Sequence, residues 1–340
     1  MENNNIDWAN LGFGYLKTDK RFVADFKDGS WNEGSLIDDE NVVINERTIV
    51  LQGFFVSISS STGFVSCDFD QCAGVLQYAQ TCFEGLKAYK TKDGKTVIFR
   101  PDMNAARMED SVARLEMPVF PKDRFVEAVK AVVKANEAFV PPFESGATLY
   151  IRPYMFASSA VIGVKPADEY QFRIFTTPVG PYFKHGAKPL SIKVCEFDRA
   201  APHGTGHIKA GLNYAMSLYA ITAAHAEGFD ENMYLDAATR TYVEETGGAN
   251  FIFVTKDGKL VTPKSGTILP SITRRSLVTV ARDYLGMEVE ERPVPYEELK
   301  EFAEAGLCGT AAVISPLGKV TDKAKGEEIC FPSGMEKMGP

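Results

Sequence analysis

Several features that identify a function class are missing from this 340-residue sequence. No run of about 18 apolar residues occurs, so no segment is predicted to span a membrane. The formal net charge of -8 argues against a large nucleic-acid-binding face, which needs an excess of Lys and Arg. No GxGxxG motif follows a predicted strand and no GxxxxGK[ST] motif occurs. A nicotinamide dehydrogenase and a P-loop enzyme are therefore not predicted.

Cysteine and histidine are also scarce. The six cysteines include no CxxC pair, and a disulfide framework would need denser cysteine in a shorter chain. The first residues lack the basic and apolar regions of a secretory signal, so we expect reduced thiols and a cytoplasmic protein. Of the four histidines, His203 and His207 lack the glutamate of a zinc-binding helix, so no metal site is predicted.

Helical and extended patterns alternate along the chain, which predicts an α/β or α+β fold. The length exceeds the usual limit of one hydrophobic core, so two domains are expected. Helices are predicted after a capping Asp123, where Phe125, Val129, Val132 and Val133 share a face, and at Tyr214–Glu227 and Ile272–Leu285 before Gly228 and Gly286. Strands are predicted at Thr96–Arg100, Tyr150–Phe156, Phe251–Thr255 and Ala311–Pro316.

Turns and boundaries follow from glycine, proline and serine. The pentapeptide Thr-Lys-Asp-Gly-Lys occurs at 91–95 and 255–259, and each copy predicts a tight hairpin turn. A stretch rich in Pro and Gly at 178–186 predicts a domain boundary. An apolar-rich stretch at about 47–71 is interpreted as a peripheral excursion of the N-terminal domain. Its ends are expected to join two strands, Val42–Asn45 and Gly74–Tyr78.

Six blocks resemble, in the expected order, those of the branched-chain aminotransferases, which belong to the fold-type IV class of pyridoxal-phosphate enzymes. The blocks are FEGLK at 83–87, FRPDMNAARM at 99–108, RAAPHGTGHIKAGLNYA at 199–215, EETGGAN at 244–250, LPSITR at 269–274 and GTA at 309–311. Similarity covers about residues 7–39 and 72–340. Each block alone is a weak signal, but six in order over most of the chain are a strong one.

The resemblance implies an α/β (α+β) fold of two domains. A smaller N-terminal α/β domain would span residues 1–177, including an unusual insertion at about 47–71. A linker at 178–190 would lead to a larger C-terminal cofactor-lysine domain, residues 191–340, with a mixed β-barrel-like core. Relatives usually continue beyond the position of Pro340, and a shorter C-terminus together with an apolar insertion can reduce stability or activity.

Transamination on pyridoxal phosphate requires a lysine, an acid at the ring nitrogen, a donor to the ring oxygen and an anion cradle. No spacing rule selects the lysine, since most lysines are solvated surface charges. The resemblance implies that Lys209 binds the cofactor covalently and acts as general acid and base. It further implies that Tyr214 donates to the ring oxygen and that Glu245 pairs with the ring nitrogen. Neighbouring Glu244 is the competitor, and strand alternation leaves only one of the two in the site.

The resemblance also nominates the groups that hold the phosphate and the substrate. Arg107, the backbone N–H groups of Ile272 and Thr273 at a predicted helix start, and the Thr310 hydroxyl would bind the phosphate. The substrate side chain would contact four aromatic residues, Tyr78, Phe83, Tyr150 and Tyr182. Arg152, on the same strand face as Tyr150, would bind a distal carboxylate. Backbone groups around Thr310 and Ala311 would hold the α-carboxylate.

The implied function is amino transfer between leucine, isoleucine or valine and 2-oxoglutarate, giving branched-chain 2-oxo acids and glutamate. The resemblance also implies a homodimer, or a multiple of one, in which Ile162 and Val164 help to close the pocket of the other subunit. Three alternatives stay open. They are a cofactor-binding relative with little turnover, a D-amino-acid transaminase and an aminodeoxychorismate lyase of the same fold.

Overall fold

A computed structural model describes residues 6–38, 72–180, 182 and 188–337. The apolar-rich stretch at 47–71 and the predicted strand Val42–Asn45 lie outside these residues. The prediction that Gly74–Tyr78 forms a strand is wrong, because this segment is a short helix. The helix closes at Ala79, whose backbone is left-handed, and the Gln80 N–H bonds to the Gly74 carbonyl.

Residues 20–179 build the first sheet and the helices that cover it. Its strands and helices are β1 Lys20–Lys27, β2 Ser30–Trp31, β3 Ser35–Asp38, α1 Gly74–Tyr78, β4 Thr81–Phe83, β5 Leu86–Lys90, β6 Thr96–Ile98, α2 Pro101–Arg114, α3 Lys122–Ala135, β7 Thr148–Ala157 and β8 Tyr170–Val179. The eight strands run in the order β2-β1-β8-β7-β5-β6, with β3 beside β1 and β4 beside β7. All of these pairs are antiparallel.

Helices α2 and α3 bury one face each in the core of this part of the chain. The predicted face of α3 is confirmed, since Phe125, Val129, Val132 and Val133 are all buried. The predicted cap is wrong, because the helix begins before Asp123. Pro121 is the N-cap, and its carbonyl accepts the Phe125 N–H. Asp123 lies in the first turn, where its negative charge interacts favourably with the helix dipole.

Residues 190–330 build a second eight-stranded sheet, which is mixed. Its strands and helices, with a small separate sheet of β11 and β15, are β9 Leu190–Val194, α4 Gly211–Ala215, α5 Leu218–Ala226, β10 Glu231–Met233, β11 Tyr242–Val243, β12 Asn250–Thr255, β13 Leu260–Pro263, α6 Ile272–Asp283, β14 Val289–Arg292, β15 Val294–Pro295, β16 Phe302–Gly309, β17 Val313–Asp322 and β18 Glu327–Cys330. The order is β10-β9-β17-β16-β12-β13-β14, with β18 beside β17. The pairs β9–β10, β9–β17 and β13–β14 are parallel.

Both predicted Asp-Gly hairpins are present, as β5–β6 and β12–β13, with Gly94 and Gly258 at positive φ. The predicted helix Tyr214–Glu227 forms two helices, α4 and α5, because the chain turns at Met216–Ser217. The strand predicted at Ala311–Pro316 begins only at Val313. Ala311 and Ala312 belong instead to the turn that precedes β17.

The two sheets separate between Val179 and Leu190, and β8 extends two residues beyond the predicted end of the first domain at 177. Each sheet packs its own cluster of buried apolar side chains. Across the described ranges, no helix is both long and apolar enough to cross a membrane.

Candidate active site

A pocket lies between the two parts of the chain and is lined by residues from both. Arg107 on α2 and Tyr150 on β7 come from the first part, and Lys209, Tyr214 and Glu245 come from the second. The remaining wall consists mainly of small residues and backbone at 247–249 and 308–311. The pocket therefore combines cations, a carboxylate and a phenol with room for a ligand.

Hydrogen bonds hold Lys209 at both its side chain and its backbone. Its side-chain Nζ lies 2.7 Å from the Tyr214 hydroxyl oxygen, since α4 places Tyr214 beside the lysine. Its backbone N–H donates to the Ser111 hydroxyl at 3.1 Å, and its carbonyl accepts the Phe83 N–H at 3.0 Å. Burial lowers the pKa of Lys209 to about 8, and the like charge of Arg107 acts in the same direction. At neutral pH about a tenth of this lysine is therefore the unprotonated, nucleophilic amine, far more than for a lysine in water.

Glu245 is the glutamate that faces the pocket. Its Oε1 accepts the Leu269 N–H at 2.9 Å, and its Oε2 accepts the Asn250 amide at 2.7 Å. Burial raises the pKa of Glu245 to about 7, against the opposing charge of Arg199. Glu244 turns away and accepts hydrogen bonds from the hydroxyls of Ser265 and Thr267. Of these two neighbours, Glu245 lines the pocket and Glu244 does not.

Arg107 forms an ion pair with Glu84, a residue that the sequence did not identify as part of the site. Its Nε and Nη2 donate to the two carboxylate oxygens of fully buried Glu84, at 2.8 and 2.7 Å. Asn104 donates to the same carboxylate at 2.7 Å, and the Arg107 Nη1 donates to the Pro270 carbonyl at 3.1 Å. An arginine has five N–H donors, so two are left for a ligand. Glu84 lies inside the FEGLK block, but nothing in its spacing identifies its partner.

The start of α6 lies next to this arginine. Ser271 is the N-cap, and its hydroxyl accepts the Arg274 N–H. Ser271 lines the pocket, as do Thr310 and Ala311 in the turn before β17, whereas Ile272 and Thr273 do not. The first N–H groups of an α-helix have no partner within the helix, and the Arg107 bond to Pro270 places the start of α6 beside this arginine.

Aromatic rings enclose Arg152, which sits over the Phe83 ring at 4.6 Å and over the Tyr150 ring at 5.2 Å. Its Nη2 donates to the Tyr150 hydroxyl at 3.0 Å. Gly85 makes room for that hydroxyl, because a Cβ on Gly85 would lie 2.3 Å from the oxygen. The Phe83 ring also meets the Tyr214 ring edge-on at 4.8 Å. Phe83 thus connects the arginine to the Lys209–Tyr214 pair.

The other two predicted substrate residues lie farther out. The Tyr78 hydroxyl donates to the carbonyl of Ile162, in a loop where the Ile162 and Val164 side chains are 85% and 90% exposed. The Tyr182 ring packs edge-on against Phe13 at 5.1 Å, and Phe13 packs against Tyr150 at 5.3 Å. Phe13 was not a candidate from the sequence, because no pattern separates it from neighbouring apolar residues.

Arg199 is the second charged residue that sequence reasoning missed. It lines the pocket, is 5% exposed, and pairs with Glu245 through an Nη2–Oε1 distance of 2.6 Å. It begins the block that contains Lys209, yet its partner lies in another block. Only the folded chain brings the two together.

Known proteins resemble this chain over nearly its full length. The family model for amino-transferase class IV matches residues 81–320. The branched-chain-amino-acid aminotransferase of Haemophilus influenzae is 46% identical over 94% of this chain and 88% of its own length. That of Helicobacter pylori is 42% identical over 98% of this chain and 92% of its own length.

Solved structures of the same kind share the fold. The Escherichia coli branched-chain amino acid aminotransferase superposes with a TM-score of 0.72 at 26% identity, over 95% of this chain and 91% of its own. The branched-chain amino acid aminotransferase from Thermobaculum terrenum, in its PLP-bound holo form, superposes with a TM-score of 0.67 at 26% identity, over 90% of this chain and 87% of its own.

Proposed function

The chain belongs to the class IV aminotransferase family, and we propose that it transfers amino groups between branched-chain L-amino acids and 2-oxoglutarate. The observation that carries this proposal is one pocket that contains Lys209, Tyr214, Glu245 and Arg107 with Arg152 beside it. The products would be branched-chain 2-oxo acids and L-glutamate. The similarity to enzymes named for this activity supports the same substrate class.

Pyridoxal 5'-phosphate is the cofactor of this enzyme, and the donor set of the pocket fits it. Lys209 offers an amine, Tyr214 a phenol, Glu245 a carboxylate and Arg107 a cation with two N–H groups to spare. Arg107, the start of α6 at Ile272 and Thr273, and the Thr310 hydroxyl would hold the phosphate. When bound, the cofactor supplies an aldehyde that accepts the amino group and a ring that withdraws electrons. Glu245 would stabilise positive charge at the ring nitrogen.

Lys209 would act as the general acid and base of the reaction. A pKa of about 8 lies close to neutral pH, so Nζ can both accept a proton and return it. The Tyr214 hydroxyl, 2.7 Å away, orients Nζ and would donate to the ring oxygen of the cofactor. Backbone groups around Thr310 and Ala311 would hold the substrate α-carboxylate.

One pocket must accept an apolar side chain in one half-reaction and a carboxylate in the other. Phe83 and Tyr150 present ring faces and edges that suit leucine, isoleucine or valine. Arg152 lies against both rings and would pair with the distal carboxylate of glutamate or 2-oxoglutarate. Tyr182, beside Phe13, would form the outer wall.

The decisive experiment is an absorption spectrum of the purified protein with bound cofactor, before and after adding L-leucine. We expect conversion from the aldehyde form to the amine form, and reversal on adding 2-oxoglutarate. D-leucine in place of L-leucine is the control. Conversion by D-leucine alone would favour a D-amino-acid transaminase, and no conversion by either would favour a cofactor-binding relative with little turnover.

We also propose a homodimer, or a multiple of one, in which the loop at Ile162 and Val164 closes the pocket of the other subunit. Two nearly fully exposed apolar side chains in one loop are unusual unless a partner covers them. Since Tyr78 bonds to this loop, it would serve the same neighbouring pocket. Light scattering at micromolar concentration should give at least twice the 37.4 kDa chain mass. A fully active monomer would contradict the proposal.

We further propose that the chain divides into an N-terminal domain at 1–177, a linker at 178–190 and a cofactor-lysine domain at 191–340. The position of the gap between the two sheets supports this division.

We also propose a cytoplasmic location, which the substrate chemistry of amino-acid metabolism favours.

A further inference from the structure

Arg199 lies in a tightly closed environment at the wall of the pocket. Its Nη2 donates to the carbonyls of Gly206 at 3.0 Å and Thr267 at 2.5 Å, in addition to the ion pair with Glu245. A Cβ on Gly206 would lie 2.1 Å from the Thr267 oxygen and 2.8 Å from the Arg199 Nη2. The guanidinium is therefore held by two backbone carbonyls, one on the segment that leads to Lys209 and one on the segment before α6.

Arg199 is the strongest of the influences that favour the charged form of Glu245. Burial and, more weakly, the buried neighbour Glu244 raise the pKa of Glu245, whereas Arg199, the hydrogen bond from the Leu269 N–H and, most weakly, Lys209 lower it. Asn250 and the Leu269 N–H are neutral donors. Among the residues that the structure describes, Arg199 is the cation found within ion-pair distance of this carboxylate. Without it, two adjacent buried carboxyl groups would have no close counter-ion.

We propose that Arg199 is a positioning residue that keeps Glu245 an oriented carboxylate, directed at the ring nitrogen of the bound cofactor. Arg199 itself would act through Glu245 rather than on the phosphate. A carboxylate stabilises a protonated ring nitrogen, whereas a neutral carboxyl group does so far less. This inference rests on the proposed function, in which Glu245 meets the cofactor.

A double-mutant cycle tests the coupling between the two residues. The dissociation constant of pyridoxal phosphate is measured for apoenzymes of the wild type, Arg199→Gln, Glu245→Gln and the double variant. Arg199→Gln should weaken binding about ten- to a hundredfold, as expected for loss of a charge-assisted interaction. In the Glu245→Gln background the same replacement should change the constant less than about threefold. Arg199→Lys, which keeps the charge but not the fork, should recover part of the loss.

Thermal unfolding of the same apoenzymes tests the coupling even if Arg199→Gln folds poorly. Removing one member of a buried ion pair leaves an uncompensated charge, and removing both does not. The double variant should therefore unfold at a higher temperature than Arg199→Gln. Arg173→Gln is a matched control, because Arg173 is similarly buried but pairs with Gln171 in the first sheet. Its effect should be independent of Glu245→Gln.

Two results would overturn the role of Arg199. One is an equal loss of cofactor affinity in both backgrounds, which would place Arg199 at the phosphate or in the scaffold. The other is unchanged affinity in Arg199→Gln. The response of the wild-type protein to L-leucine tests the proposed function separately, so a normal response with either of these results would reject only the coupling.

Discussion

Replacing Lys209 by alanine is expected to abolish transamination while leaving some cofactor bound. The variant loses the covalent attachment point and also the group that moves the proton, and general acid–base catalysis alone contributes about a hundred- to ten-thousandfold. Arg107, Tyr214 and Glu245 stay in place to hold the cofactor noncovalently. Turnover of L-leucine with 2-oxoglutarate measures the loss.

Borohydride reduction followed by peptide mapping identifies the lysine directly. Tryptic cleavage after Arg199 and Arg240 would leave a modified Lys209 in one peptide, residues 200–240, because a modified lysine is not cut. Lys87 is the natural comparison, since burial lowers its pKa to about 8 as well and its Nζ lies 3.5 Å from the Ala311 carbonyl. Lys87→Met should still carry reducible cofactor at Lys209. Label on the Lys87 peptide of the wild type would refute the assignment.

Replacing Arg152 by alanine is expected to damage the glutamate half-reaction more than the leucine half-reaction. Within the described part of the chain Arg152 has no carboxylate partner, and it bonds only to the Tyr150 hydroxyl. A distal carboxylate of the substrate would complete its hydrogen bonds. A charge-assisted hydrogen bond is worth about 1.5–3 kcal/mol, so the selective loss should be about ten- to a hundredfold.

Single-turnover rates of each half-reaction measure this selectivity, with the leucine half-reaction as the internal control. Arg152→Lys is the matched variant, because it keeps the charge but loses the planar contact with Phe83 and Tyr150. It should recover part of the glutamate rate. Equal losses in both half-reactions would mean that Arg152 serves only to support the two rings.

Local features of the fold were accessible from the sequence because they depend on residues close together in the chain. The buried face of α3 follows from apolar residues at helical spacing, and both hairpins follow from Asp-Gly between extended runs. The errors are also local. Pro121 begins α3 in place of Asp123, and Ala79 adopts a left-handed conformation that closes a helix at 74–78. In each case a backbone conformation at one residue decided the boundary, and composition does not reveal it.

The sequence by itself determined the family, the order of the blocks and Lys209, Tyr214 and Glu245 as the residues to examine. Only the tertiary structure decided which side chains meet: Glu84 with Arg107, Arg199 with Glu245, and Phe13 with Tyr150 and Tyr182. Each of these contacts joins residues that are distant in the chain, so no spacing rule could reveal them. The strength of the two ion pairs depends on burial, because water screens an exposed ion pair and a closed pocket does not.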